Sequence, residues 1–216
     1  MTQTENLAWR PFEPEDFEAT AALLGRTWLP DFGEAAQRAA SQIELAHYLA
    51  RSSWSLVVER DGEVLGVVLV AEPGGHPVGG AGWSELEVRL TRAAEKDEEL
   101  AEAVRVEMDG VREEGELERE YAAGGPMGAD AAIKLLLVSP DAKGLGLGGR
   151  LFSAAVEHLR EAGLPGFHLL TDDSCDVGFY EHKGLTQAMR RRSGAYWPGV
   201  EPEKDEFYVY VYEQEL

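Results

Sequence analysis

Two hydrophobic periods take turns along this chain, and their order predicts an α/β protein. Period-two alternation or short unbroken apolar runs mark strands at 7–12, 54–59, 64–71, 133–138, 167–171, 185–192 and 207–212. The last is the clearest: Phe207, Val209 and Val211 fall on one face, Tyr208, Tyr210 and Tyr212 on the other. Asp61-Gly62 between the second and third runs is a strong hairpin signal.

Helical spacing fills the gaps. Glu13-Pro14-Glu15-Asp16 opens a helix with acids in its first turn, where the macrodipole favours them, and Phe17, Ala21, Leu24 and Trp28 form its stripe. After a loop at 27–33, a second helix runs over about 34–51 with Ile43, Ala46 and Ala50 inward. A glycine- and proline-rich loop at 72–80 leads into a charged, helix-favouring stretch at about 83–123, closed by Gly124-Gly125-Pro126-Met127-Gly128. Leu100, Val104, Met108 and Val111 give that stretch an apolar stripe, and its charges read as a solvated face, with a lid or an oligomer contact as the other options.

The segment 133–159 carries the most chemistry. An apolar strand, Ile133 to Val138, is broken by Ser139-Pro140-Asp141. The loop Lys143-Gly144-Leu145-Gly146-Leu147-Gly148-Gly149 follows, and then a helix striped by Leu151, Phe152, Ala155, Val156 and Leu159. Strand, glycine loop and helix N-terminus together can hold a phosphate, because glycines let the backbone approach and first-turn amides point at the anion. GxxxxGK[ST] is excluded, since the Lys precedes the glycines. GxGxxG is met by Gly144, Gly146 and Gly149, but that fingerprint begins at the strand end and needs a doubly wound half-domain around it. Five residues intervene here and only 67 follow Gly149. A dinucleotide oxidoreductase remains as a reading that predicts NAD(P) binding, and a ligand-free glycine turn as the plainest one.

Composition narrows the class. The 216 residues suit one domain, 1–216, with a sizeable core. No run is long enough to span a membrane, the start lacks a basic-then-apolar signal, and one Cys excludes an internal disulfide framework. A cytoplasmic, soluble protein is expected. The net charge of −20 disfavours nucleic acid and anionic membrane as partners and favours cations. The five His show no metal-ligand spacing, so no metal is expected.

Lys143-Gly144-x-Gly146-x-Gly148 after a strand ending Val138-Ser139-Pro140 resembles the coenzyme A loop of the GNAT superfamily, the acyl-CoA-dependent N-acyltransferases. The run Phe179-Tyr180-Glu181…Gly184-Leu185, a short helix opened near Asp176, resembles that family's second signature. The resemblance implies a mixed, mostly antiparallel sheet flanked by helices, with 83–123 as a helical insertion between the third and fourth strands. It implies transfer of an acetyl group from acetyl-CoA to the primary amine of a small molecule or peptide in a ternary complex. A non-catalytic acyl-CoA sensor on the same fold is the alternative.

Residue by residue, the resemblance gives the pyrophosphate to the amides of Lys143, Gly144, Leu145, Gly146, Leu147, Gly148 and Gly149. It gives the pantetheine to the edge formed by Leu136, Leu137 and Val138, with the Val138 N–H as oxyanion donor. Tyr180 takes the general-acid position beside Phe179, and Asp173 a polar position near the cofactor. Asp130 is the candidate base, though it also reads as a loop acid, and water or a carboxylate of the insertion could serve instead. Trp28, Phe32, Tyr196 and Trp197 lie in the loops that border the acceptor pocket of the fold. Asp172 reads as a capping acid, Cys175 as filler, and Arg190-Arg191-Arg192 as partners for surface acids. Acceptor identity, acyl preference and self-association as a homodimer are left open.

Overall fold

The computed structural model describes residues 6–195 and 206–216. Its strands are β1 (Leu7–Arg10), β2 (Trp54–Arg60), β3 (Glu63–Ala71), β4 (Ala132–Val138), β5 (Gly166–Asp172), β6 (Thr186–Arg192) and β7 (Tyr208–Glu215). They form one sheet in the order β1-β2-β3-β4-β5-β7-β6. Every neighbouring pair is antiparallel except β4 and β5. The β2–β3 turn holds both Asp61 and Gly62 at positive φ, the primed hairpin turn that Asp-Gly favours.

The helices are α1 (Phe17–Trp28), α2 (Glu34–Ala50), α3 (Trp83–Ala94), α4 (Glu98–Ala123), α5 (Leu147–Glu161) and α6 (Val177–His182). Helices α1 and α2 bury Leu24, Leu45 and Leu49 against Val57, Val67, Leu69 and Leu137 on one face of the sheet. Helix α5 buries Leu151, Phe152 and Leu159 against Val58, Val68 and Val70 on the other. The chain between β3 and β4 is the expected insertion, but it is two helices. The first ends at Ala94, and Asp97 caps the second, its Oδ1 accepting from the amides of Glu99 and Leu100 at 3.0 and 3.1 Å.

Strand β4 carries the feature that makes room for a site. Leu69 pairs with Leu135 and Val70 with Ile133, so Lys134 is an extra residue, a β-bulge. Across it the side-chain alternation reverses. Ile133 packs on the α5 side, whereas Leu135 and Leu137 pack on the α1–α2 side. The parallel pairing of β4 with β5 exists only at Ala132–His168 and Ile133–Leu169, before the bulge. Beyond it, Leu135 to Val138 pair with β3 alone, and Leu170 to Asp172 pair with β7 alone. The sheet forks there.

Helix α4 lies along the same side as α2. Leu117 and Tyr121 pack on Val209 and Val211 of β7, and Val104 joins Ile43 of α2 and Ala94 of α3. Tyr121 donates to Glu213 of β7 at 2.6 Å, and Arg191 of β6 pairs with Glu120.

Candidate active site

Where β4 and β5 part, a cavity of about 920 Å³ opens. Its floor is β4 from Ile133 to Val138 and β5 from Leu169 to Asp172; α2, α4 and α6 form its walls, and Gly148 of α5 closes one end.

One side of the cavity is bare backbone. The Ser139 N–H donates to Leu65 O of β3 at 2.8 Å, so by strand alternation Leu137 also turns its N–H to β3. Leu136 and Val138 therefore aim their N–H and C=O groups into the fork, where no strand meets them. Just beyond, Gly144 and Gly146 hold φ of +87° and +67°, and a Cβ at either would point into open space. Gly146 is the residue before α5, whose first intrahelical bond is Arg150 N–H to Gly146 O at 3.2 Å. The amides of Leu147, Gly148 and Gly149 thus lack intrahelical acceptors, as in any first turn. Lys143 is exposed beside the loop. A cation that the sequence reading passed over, Lys183, reaches the same turn: its Nζ stands over the rings of Phe152 and Phe179, next to Gly149.

Helix α6 brings Tyr180 to the fork. Asp176 caps it by accepting from the Phe179 amide at 3.2 Å, and Gly184 at φ +87° ends it. Tyr180 lines the cavity, edge-to-face with Phe179 at 5.3 Å, and its hydroxyl has no hydrogen-bond partner among the described residues. Burial, followed by the nearby Cys175 and the carboxylates of Asp172, Asp176 and Glu114, holds the phenol protonated well beyond its ordinary range. Burial also raises Asp172, although Ser174 donates to it through both N–H (2.7 Å) and Oγ (2.5 Å). Cys175 lines the same wall, and burial pushes its thiol up to about 11. It stays a thiol at neutral pH.

The opposite walls are acidic. From α4, Glu107, Val111, Glu114 and Glu118 line the cavity at i, i+4, i+7 and i+11, a single helical face. From α2 comes Glu44, 2% exposed, with Oε2 unpartnered. Burial and then the charges of Glu107 and Glu114 push Glu44 far above the usual carboxylate range. Burial raises Glu107 to about 7 and, reinforced by Asp172 and Glu107, Glu114 to about 8. Glu118 behaves oppositely. Burial pushes it up, but His168 and Lys134 together draw it down to about 2. It bridges the two prongs of the fork, paired with Lys134 of β4 and 2.9 Å from Nε2 of His168 on β5, while His168 Nδ1 donates to Gly128 O at 2.7 Å.

The expected site residues divide accordingly. Leu136, Leu137, Val138, Gly148, Phe179, Tyr180 and Trp28 line the cavity. Asp130 does not. It is exposed in the turn before β4, at the far end of the strand from Val138, roughly 26 Å away at the rise of an extended chain. Asp173 is taken up by β7, its carboxylate accepting from Tyr208 N–H at 2.8 Å and Tyr210 Oη at 2.5 Å. Phe32 packs beside Leu29, Ile43 and Val104, away from the cavity. Tyr196 and Trp197 lie outside the described residues. The charge run of 83–123 is solvated on one side only, since Glu107, Glu114 and Glu118 turn inward. Arg191 meets a surface acid as expected, and Arg190 stacks on Tyr208 at 3.6 Å. Among the described residues, no three His, Cys, Asp or Glu are grouped to hold a metal ion, and no helix is long and apolar enough to cross a membrane.

A family model described as the acetyltransferase (GNAT) family matches residues 17–185. A search of curated protein sequences returned no match. Similar solved structures include the ribosomal-protein-S18-alanine N-acetyltransferase of Escherichia coli: 13% identity, 97% of this chain and 93% of that one, TM-score 0.56. A mosquito arylalkylamine N-acetyltransferase like 5b gives 16% identity over 98% and 100% of the two chains, TM-score 0.55. A Drosophila melanogaster polyamine N-acetyltransferase gives 13% over 98% and 100%, TM-score 0.56. At these identities the likeness establishes the fold alone.

Proposed function

The chain belongs to the GNAT acetyltransferase family, and from that premise we propose that it transfers an acetyl group from acetyl-CoA to a primary amine by direct attack. The observation that supports this most is the free edge of β4 running from the unpartnered amides of α5 to Tyr180 across one cavity. In this reading the first-turn amides and Lys183 hold the pyrophosphate. The pantetheine lies along Leu136 to Val138 as an added strand, and the Val138 N–H receives the charge that develops on the thioester oxygen.

The acceptor enters from the acidic side. Glu114 takes the proton its ammonium must lose; a carboxylate raised to about 8 is matched to that task near neutral pH. The amine nitrogen forms a bond to the acetyl carbon, the carbon–sulfur bond breaks, and Tyr180 donates its phenolic proton to the departing thiolate. The second proton leaving the nitrogen returns to the Tyr180 phenolate, Glu114 releases the proton it took to solvent, and the products are an N-acetylated amine and free CoA. The acceptors named for the similar structures, a protein terminus, an arylalkylamine and a polyamine, differ too much to choose among.

Titration calorimetry with acetyl-CoA, with NAD and NADP as controls, tests the cofactor. Release of free CoA thiol with a panel of amines tests the reaction. Acetyl-CoA binding with amine-dependent thiol release is expected. Absence of acetyl-CoA binding overturns the proposal.

A further inference from the structure

The acceptor wall holds more carboxyls than one reacting amine needs. Glu44 is the anomaly. It sits on α2 among inward-facing Ala40, Ile43, Leu45 and Ala46, is 2% exposed, and keeps an unpartnered Oε2 on a cavity wall. A buried carboxyl oxygen without a partner is costly, so such an atom persists where a ligand completes it. Beside it on α4 stands Glu107, close enough for the two carboxyls to share a proton. Glu114 follows two turns further along α4, about 10 Å on at the helical rise, on the side that reaches Tyr180.

Among the described residues, no ion pair joins the cations around the cavity to Glu44, Glu107 or Glu114. Lys134 pairs with Glu118, His47 and Arg51 with Glu87, and Arg112 with Asp109. Arg119 donates its Nε to Gly115 O. The surplus is therefore carried by Glu44 and Glu107 at one end and Glu114 at the other. A small cation bound at Glu107 stays about two helical turns from Glu114. A chain with a positive charge at each end can meet both.

Resting on the acetyltransferase reading, we propose that the acceptor is a dication: an alkyl amine whose reacting nitrogen lies at Glu114 while a second cationic group is held by Glu44 and Glu107. Trp28 and Val111, which line the same cavity, give the methylenes between the charges an apolar wall. A monoamine of equal length fills that wall and leaves the Glu44 Oε2 without a partner.

Diaminobutane and butylamine are the matched probes. Calorimetry on the CoA complex, or on the free protein if CoA does not bind, reads affinity, and thiol release reads kcat/KM. A charge-assisted contact at the second end favours the diamine by about tenfold to a hundredfold. Glu44→Gln and Glu107→Gln, each checked for a wild-type thermal transition, are expected to shrink that ratio to within about threefold, half a decade or less. The ratio cancels any general loss of activity. If amines react but butylamine equals diaminobutane in wild type, or the ratio survives both substitutions, the dication site is refuted and acetyl transfer stands. If no amine releases CoA, yet diaminobutane binds more tightly in a Glu44-dependent way, acetyl transfer is refuted and the dication site stands. Equal binding of both probes with no turnover overturns both.

Discussion

Replacing Glu114 by Gln should remove much of the alkaline destabilisation of the ligand-free protein. Glu114 is raised from 4.5 to about 8, mainly by burial. A carboxyl whose folded value lies above its unfolded one binds its proton more tightly when folded. Its contribution is therefore complete below pH 4.5 and lost as the pH rises through about 8. Each decade is worth about 1.4 kcal/mol, so the upper bound between pH 5.5 and 8.5 is about 3.5 kcal/mol. The carboxyl faces an open cavity whose water screens it, and about 2 kcal/mol is the expected figure.

Glu107 and Glu44 are raised in the same direction and keep part of the slope in the variant. His47, lowered chiefly by burial, tilts the opposite way in both proteins. Glu118, drawn down to about 2, is silent in this window. Urea unfolding of wild type and Glu114→Gln at pH 5.5 and 8.5 is the assay, and the variant should be relatively more stable at the higher pH by that amount. Parallel pH profiles would refute the claim that Glu114 is held above its ordinary range.

Tyr180→Phe should lower kcat by about a hundredfold, the scale of one general acid, with acetyl-CoA affinity unchanged; steady-state thiol release with calorimetry checks it, and an unchanged kcat removes Tyr180 as the acid. Gly146→Glu strains a residue at φ +67° and sends a negative charge into the open space before α5, so acetyl-CoA binding should vanish in calorimetry; retained affinity would move the pyrophosphate elsewhere. Glu118→Gln leaves Lys134 and His168 without their shared carboxylate. With Glu118 a quarter exposed, a loss of about 2 kcal/mol is expected, or roughly 4–8 °C in thermal unfolding for a chain of this size; a shift under 1 °C would make that bridge energetically idle.

The parts of the site that depend on backbone were legible in the sequence. A glycine at positive φ before an apolar helix is a local fact, and so is the Asp61-Gly62 turn. Both signatures point to β4, α5 and α6, which line the cavity. What failed depended on register or on distant packing. Asp130, the candidate base, lies in the turn before β4, which begins only at Ala132. Asp173 sits one residue past a strand end, where β7, far along the chain, claims both its oxygens. Phe32 follows α1 away from the fork because Leu29 and Ile43 offer it a nearer apolar surface.

The acids of α4 were read as solvent-facing because nothing local shows what a long helix packs against. A signal was present: Glu107, Glu114 and Glu118 share a face with Val111, which the apolar stripe had already marked as inward. Glu44, an acid among the alanines and leucines of α2, was the other clue.

The bulge at Lys134 leaves an unsatisfied sheet edge at the centre of the molecule rather than on its rim. On an exterior strand such an edge would invite another chain to add itself, and proteins guard against that with charges, prolines or covering segments. Here the guard is steric. The edge is recessed between the two prongs of the sheet and the helical wall of the cavity, away from the molecular rim. The recess proposed to hold a cofactor arm thus also shields the sheet edge from a second chain, and any substitution that widens the fork should first be felt as a tendency to aggregate.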